Sequence, residues 1–559
     1  MNKEHRNQQD DFKLDEYKRG LSRREFLTAG AATGIITLAG FDIAGCSSST
    51  PAVSSETTLT GTDKDDILAL DPVGEPAETI QADIVIVGAG GSGLAAAIQA
   101  AQMGLNTVVV EKMGATGGSI VCTEGIFIID NKYQNEIGIG YNREDIIASQ
   151  MDYSHYITNP AILRTYYEQI NETVDWLEDL GMSFSGLLNM GKFENTVLVW
   201  EHDPANTGLP GKLVGDSLST AAENLGVEVL LDTPAKKILI EDDKAVGILA
   251  EKSDGSIIRI AAPVVIVATG GFSQNNELLA EYSGFVASPY TVGMLGRDGD
   301  GLKMGVDAGA KRWVYPGTSI SSGPVLIGAD WASLPLMFSR MPFLWINQDC
   351  ERFIREDLTN TNFTYSGNAC KMQKRVLEVF TQKDLDYHEN TGPYSRVFSL
   401  IFEGTPMTGL TDMLMQIQEN DGSIYVGETL DELASLANLD SAKLKRCIER
   451  YNSLCEEGED KDFGKDPKYL YPIERGPYYA MECAVSISAT CGSLYVSADC
   501  ECLNNDLNPI HGLYAVGVDA GGLFADSYDA SLAPCAMAGW ALNSGRLAVK
   551  SAAGYLGKA

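Results

Sequence analysis

The sequence predicts an α/β protein built on a Rossmann-type nucleotide-binding domain, and three separated segments carry that prediction. Residues 82–87 (ADIVIV) form a short apolar, β-branched run. Gly88-Ala89-Gly90-Gly91-Ser92-Gly93 follows at once, then an Ala-rich helical stretch over 94–103, a second apolar run over 107–110, and Glu111. Residues 263–271 (PVVIVATGG) read as a buried strand ending in a glycine turn, and 512–517 (GLYAVG) as a returning strand. The order strand, glycine turn, helix, strand, acid raises G-x-G-x-x-G above a chance match.

Each part of the first unit has a physical task. Gly88 permits a tight turn, Gly90 lets the backbone approach a pyrophosphate beside Ala89, and Gly93 lets the helix pack on the strand. The helix start offers N–H groups and a positive dipole end to phosphate, and Glu111 accepts hydrogen bonds from an adenosine ribose. NAD would satisfy the same unit. The choice of FAD rests on Lys112 and the run through Gly117, Gly118 and Ser119, which resembles the stretch that FAD-dependent oxidoreductases pass under the flavin diphosphate. The Ala-Thr-Gly-Gly turn with Thr269 and Gly270, and the GLYAVG strand, resemble their later segments. No second glycine-rich unit for NAD(P)H is seen, so electrons are expected from a partner or from the substrate.

Length and composition bound the rest. At 559 residues and 44% hydrophobic content, two or three domains with buried cores are expected. A net charge of −34 repels phosphate backbones, which sets nucleic acid aside. Near the N-terminus, Arg23-Arg24 precedes a short apolar run that ends at Cys46. This resembles a twin-arginine lipoprotein signal over 1–46, so export and a lipid anchor on the outer face of the membrane are expected. Residues 47–80 lack apolar periodicity and read as a tether. Ten further cysteines show no metal-ligand spacing, so no metal site is expected and most are read as small core residues.

Additional segments extend the pattern: Thr173 to Gly181, Gly270-Gly271-Phe272 with Asn275, Gly299-Asp300-Gly301, Asn347 to Arg352-Phe353, and Gly545-Arg546-Leu547-Ala548. Together they identify the chain as similar to the fumarate-reductase-like FAD family, which includes fumarate and urocanate reductases, 3-ketosteroid dehydrogenases and cardiac-glycoside reductases. The resemblance implies an FAD-binding domain over 81–311 and 477–559, with an inserted α+β capping domain over 312–476. It also implies cofactor contacts at Gly125, Ala235, Asp300, Asp519, Ser531 and Leu532.

The catalytic positions depart from the fumarate-reducing pattern. The Arg proton donor of that pattern falls on Asn360, which cannot act as a general acid at neutral pH. The carboxylate-binding His falls on Ala489, and the carboxylate-forking Arg on Tyr528, so a dicarboxylate substrate is not expected. A Tyr at the position of Tyr528 resembles the 3-ketosteroid dehydrogenases, where it hydrogen-bonds a ketone; taken alone, Tyr528 also reads as an ordinary half-buried loop aromatic. Aromatics such as Tyr315, Trp331, Phe338, Phe343, Trp345 and Tyr365 are candidates to line a pocket, though each alone reads as core. His202 is a weaker catalytic candidate, and Arg297, just before Gly299-Asp300-Gly301, could reach phosphate or substrate, with a solvated loop residue as its default reading.

The expectation is therefore an exported reductase of a conjugated C=C in a neutral enone, lactone or steroid-like ring, fed by a membrane cytochrome or quinol-oxidising partner. Rivals are the reverse, dehydrogenating reaction, a reductase of an unsaturated carboxylate, and a flavin electron-transfer module without organic substrate.

Overall fold

The computed structural model describes residues 67–558 apart from Met190, 202–210, 286–289, 292–293, 316–317, 320–321, 331–332, 396–402, Ser527 and Asp529. The expected export segment with Cys46, and also His202 and Trp331, lie outside the described residues, and for Asn360 only the backbone is described.

A ten-stranded sheet forms the centre. Its parallel heart runs Pro509–Ala515, Val264–Val267, Ile84–Val87, Thr107–Val110, Glu228–Leu230. Every residue of Ile84–Val87 and Val264–Val267 is buried, which is why these strands read as continuous apolar runs rather than alternating ones. The helices Gly91–Gln102 and Ala536–Tyr555 pack together. Their approach is set by a glycine: a Cβ on Gly545 would stand 2.3 Å from the Ser92 carbonyl oxygen. Arg546 fixes the same helix from its buried side, donating to Gln99 Oε1 (3.0 Å), Thr173 Oγ1 (2.7 Å) and Glu172 Oε1 (2.8 Å).

The ordered sheet begins earlier than expected. Glu78–Gln81, placed by the sequence at the end of the tether, pairs in parallel with Ile257–Ala261, and Ile67, Leu68 and Leu70 pack against the core. Its sequence, ETIQ, is that of a largely exposed edge strand, so its backbone pairing leaves little apolar signal.

A second, six-stranded sheet is organised by Tyr478–Ile487, which pairs with Tyr290–Thr291, Ser322–Leu326, Val376–Thr381 and Ile424–Gly427. Two of these strands lie outside 312–476, so the second sheet draws chain from both sides of the expected insert. Phe338, Phe343 and Trp345 are buried here at 5% exposure or less; the first two pack with Phe380 and His388 as core.

The Asn347 to Phe353 segment is a structural knot. Asn347 Oδ1 accepts the N–H groups of Asp349 and Glu351, both at 3.0 Å, and Cys350 takes a left-handed φ of 59°. Arg352 forks Glu356 and Asp460, each at 2.9 Å and each carboxylate fully buried, while the buried Lys465 ammonium lies 3.4 Å from Glu356. Burial alone would raise the Asp460 carboxyl, but Arg352 and the Lys465 N–H hold it at about 2. Because that value is depressed, the stabilisation is present above the ordinary carboxylate pKa and is lost only as pH falls through about 2. Arg352→Met would strand two buried carboxylates against one cation; a loss of about 3–5 kcal/mol is expected in denaturant unfolding, since breaking a buried pair leaves uncompensated charge.

Candidate active site

The two glycine-rich stretches of the sequence close on one another at the end of Ile84–Val87. Gly88 has φ 107°, and a Cβ there would lie 2.4 Å from the Ala268 carbonyl oxygen; a Cβ on Gly93 would lie 1.9 Å from the Gly88 carbonyl oxygen. Only residues without side chains permit strand, turn and helix to approach so closely. Gly90 bridges Gly117, the Gly117 N–H donates to the Ala89 carbonyl at 2.9 Å, and a Cβ on Gly118 would meet Gly90 Cα at 2.9 Å. The helix Gly91–Gln102 begins without a side-chain cap and without acidic residues in its first turn. Its first-turn N–H groups and positive end therefore face the cradle ready for an anion.

The acid of the motif is held by that cradle. Glu111 accepts from the Ala89 N–H (2.7 Å) through one oxygen and from the Met113 N–H (2.8 Å) through the other. Its carbonyl accepts the Thr233 N–H at 2.8 Å, which brings the start of Ala235–Glu241 alongside. Lys112 pairs with Asp300 at 2.6 Å and Asp298 at 2.9 Å. Burial works against the Lys112 charge, but these carboxylates hold its pKa above the ordinary value. Residues from 111–119, 233–235 and 298–300 thus meet in one place. Ser119 is half-buried in the short helix Gly118–Cys122 that follows the turn, and Gly125 passes so close to the next strand that a Cβ would stand 2.3 Å from the Leu198 carbonyl oxygen.

Asp519 is fully buried and ties distant turns together. It accepts the N–H groups of Thr269 (2.5 Å), Gly270 (3.1 Å) and Gly271 (3.1 Å), and the hydroxyls of Thr269 (2.9 Å) and Ser493 (3.1 Å). Burial pushes its carboxyl above the ordinary range while these donors pull the other way. Thr269 Oγ1 also accepts the Gly301 N–H at 3.2 Å, placing the start of Asp300–Asp307 beside the turn.

Arg297 corrects the sequence reading. It is 4% exposed, not solvated, and its guanidinium donates to the Ser488 carbonyl next to Ala489. The side chain lies against Gly270, where a Cβ would be 3.4 Å from Arg297 Cγ. Burial lowers its pKa to about 10, so it stays cationic at neutral pH.

Tyr528 is 4% exposed, edge-on to Phe524 at 5.0 Å between centroids, and its hydroxyl donates to the Ala533 carbonyl at 3.2 Å. Its own carbonyl accepts from Thr364 Oγ1 at 2.6 Å. Asn362, buried, lies 3.4 Å through Nδ2 from Ser531 Oγ, and Leu532 beside it is buried. Asn360 belongs to the short helix Leu358–Thr361 immediately before this contact. Asn362 and Thr364 were not anticipated. The available signal was modest: Asn362 is an N-cap residue, its Oδ1 accepting the Tyr365 N–H at 3.1 Å at the start of Phe363–Lys371.

Comparison with known proteins agrees with this geometry. The model of the family described as FAD binding domain matches residues 83–530. The chain is 33% identical to a vinyl phenol reductase of Lactiplantibacillus plantarum, covering 85% of this chain and 96% of that one. It is 27% identical to a urocanate reductase of Eggerthella lenta, covering 79% and 70% respectively. Among solved structures, a 3-ketosteroid delta1-dehydrogenase from Sterolibacterium denitrificans shares the fold at TM-score 0.67 and 18% identity, over 85% of this chain and 99% of that one. The glycine cradle, the uncapped helix start and the anchored Glu111 fit the pyrophosphate and ribose of FAD. The chain belongs to the FAD binding domain family, and it is an FAD-dependent oxidoreductase.

Proposed function

We propose that the protein reduces a carbon–carbon double bond conjugated within a neutral organic molecule. Bound FAD supplies the two-electron hydride chemistry. The observation that carries the reading is the set of residues at the substrate-gripping positions: Ala489, Asn360 and Tyr528 bear no charge at neutral pH. The similarity to a vinyl phenol reductase supports it, because a vinyl phenol has no carboxylate to grip.

The protein's part is to orient and polarise. Tyr528 has one hydroxyl proton, and in this conformation the Ala533 carbonyl accepts it. Polarising a substrate oxygen would exchange that bond for one to the ligand. With this role, Tyr528→Phe lowers kcat/KM about 100-fold, while the lost bond to Ala533 costs only about 1 kcal/mol of stability. Turnover at the wild-type rate would remove Tyr528 from the reaction.

One observation favours a second reading. The buried, cationic Arg297 beside Ser488-Ala489 is a candidate anchor for an unsaturated carboxylate. Anaerobic reoxidation of the reduced holoprotein separates the two. Recovery of flavin colour with vinyl phenols or enones, and not with fumarate, urocanate or cinnamate, supports the neutral reading; the reverse pattern supports the Arg297 anchor. Reoxidation only by a protein partner supports the electron-transfer module. Export with a lipid on Cys46, and electron supply by a membrane cytochrome or quinol oxidiser, complete the proposal, resting on Arg23-Arg24, the short apolar run and the lack of a second glycine-rich unit.

A further inference from the structure

We propose that Tyr153 and Tyr365 form a stacking platform for the aromatic ring of the substrate, so that the site selects a planar, neutral, phenol-like compound. This deepens the reading above and rests on it.

The two rings come from different parts of the fold. Tyr153 ends the helix Arg143–Tyr153, which packs on Pro160–Asp179 beside the nucleotide-binding sheet; Tyr365 lies in the first turn of Phe363–Lys371, which packs on the second sheet. Their planes are within 11° and their centroids 5.4 Å apart, an offset stack. Tyr365 is 45% exposed. That contrasts with Phe338, Phe343 and Trp345, which are sealed in the core.

The pair adjoins the substrate side of the site. Asn362 Nδ2 lies 3.5 Å from Tyr153 Oη and 3.4 Å from Ser531 Oγ, and Thr364, one residue before Tyr365, holds the Tyr528 carbonyl. The short helix carrying Asn360 leads directly into this turn. With uncharged residues at positions 360 and 528 next to the pair, neutral contacts are what this turn offers a ligand. Ring faces recognise a planar ring by offset stacking, and an amide and a phenol can exchange hydrogen bonds with a phenolic hydroxyl. An interdomain strut would use the same stack but would not distinguish an aromatic ligand from an alicyclic one.

The test compares wild-type, Tyr365→Leu and Tyr365→Phe holoenzymes. Binding of para-ethylphenol and of cyclohexanol to the oxidised protein is measured by calorimetry. KM for para-vinylphenol and for cyclohexenone is measured by anaerobic flavin reoxidation. The platform predicts that Tyr365→Leu weakens para-ethylphenol binding, and raises the ratio of the two KM values, by about tenfold, and that Tyr365→Phe restores both. Equal changes for both ligands, no change, or no binding of para-ethylphenol to the wild type would overturn it. If no neutral alkene reoxidises the wild-type flavin while para-ethylphenol still binds and depends on Tyr365, the reductase reading fails and the platform stands.

Discussion

Asp519→Ala is expected to lower the stability of the protein by about 3 kcal/mol or more and to release the flavin. The carboxylate accepts five hydrogen bonds, three from the backbone of the Thr269-Gly270-Gly271 turn and two from the hydroxyls of Thr269 and Ser493. Alanine would leave these donors buried without an acceptor, each at a desolvation cost of about 1–3 kcal/mol, with partial relief as the turn relaxes. The same turn supports the start of Asp300–Asp307 through Thr269 Oγ1 and carries Gly270 against Arg297, so relaxation spreads into the cofactor cradle. Asp519→Asn should be intermediate, because one oxygen remains as acceptor while the new amide N–H₂ faces existing donors. Denaturant midpoints at unchanged slope and flavin content after gel filtration are the measurements. An alanine variant with wild-type midpoint and full flavin would show that the buried carboxylate is dispensable.

Gly93→Ala is expected to give a colourless protein, with flavin affinity reduced at least about 100-fold. A Cβ at this position would stand 1.9 Å from the Gly88 carbonyl oxygen, which is backbone and cannot rotate away. The helix start must move off the strand, and the N–H groups that face the pyrophosphate move with it. The overpacking itself costs about 1–3 kcal/mol. Gly140→Ala serves as the control, because nothing lies within 4 Å of a Cβ placed there. Flavin titration of both apoproteins reads the difference, and equal affinities would show that the close packing of Gly93 on Gly88 is not needed for binding.

What the sequence made legible follows how local each signal is. The strand 84–87, its glycine turn, the helix Gly91–Gln102 and the strand ending at Glu111 lie within one continuous stretch, so periodicity and glycine spacing suffice to read them. The edge strand Glu78–Gln81 was read as tether because its partner, Ile257–Ala261, supplies the backbone pairing and its own side chains are mostly exposed. The second sheet overran its expected limits for a similar reason. Its organising strand Tyr478–Ile487 recruits Tyr290–Thr291 from far upstream. Arg297 shows the same limit for a single residue: a charged side chain in a glycine-rich loop reads as solvated, and its contact with the carbonyl of Ser488 comes from 191 residues away.

The sequence by itself determined the nucleotide unit, the choice of FAD and the uncharged residues at positions 360, 489 and 528, because those depend on residue identity and short-range order. Tertiary structure alone decided that Asp519 is spent on a turn 250 residues away, that the Tyr528 proton rests on Ala533, and that Tyr153 meets Tyr365. Such contacts join segments whose separation along the chain carries no local signature, and burial and hydrogen-bond satisfaction select them only once the two sheets have formed.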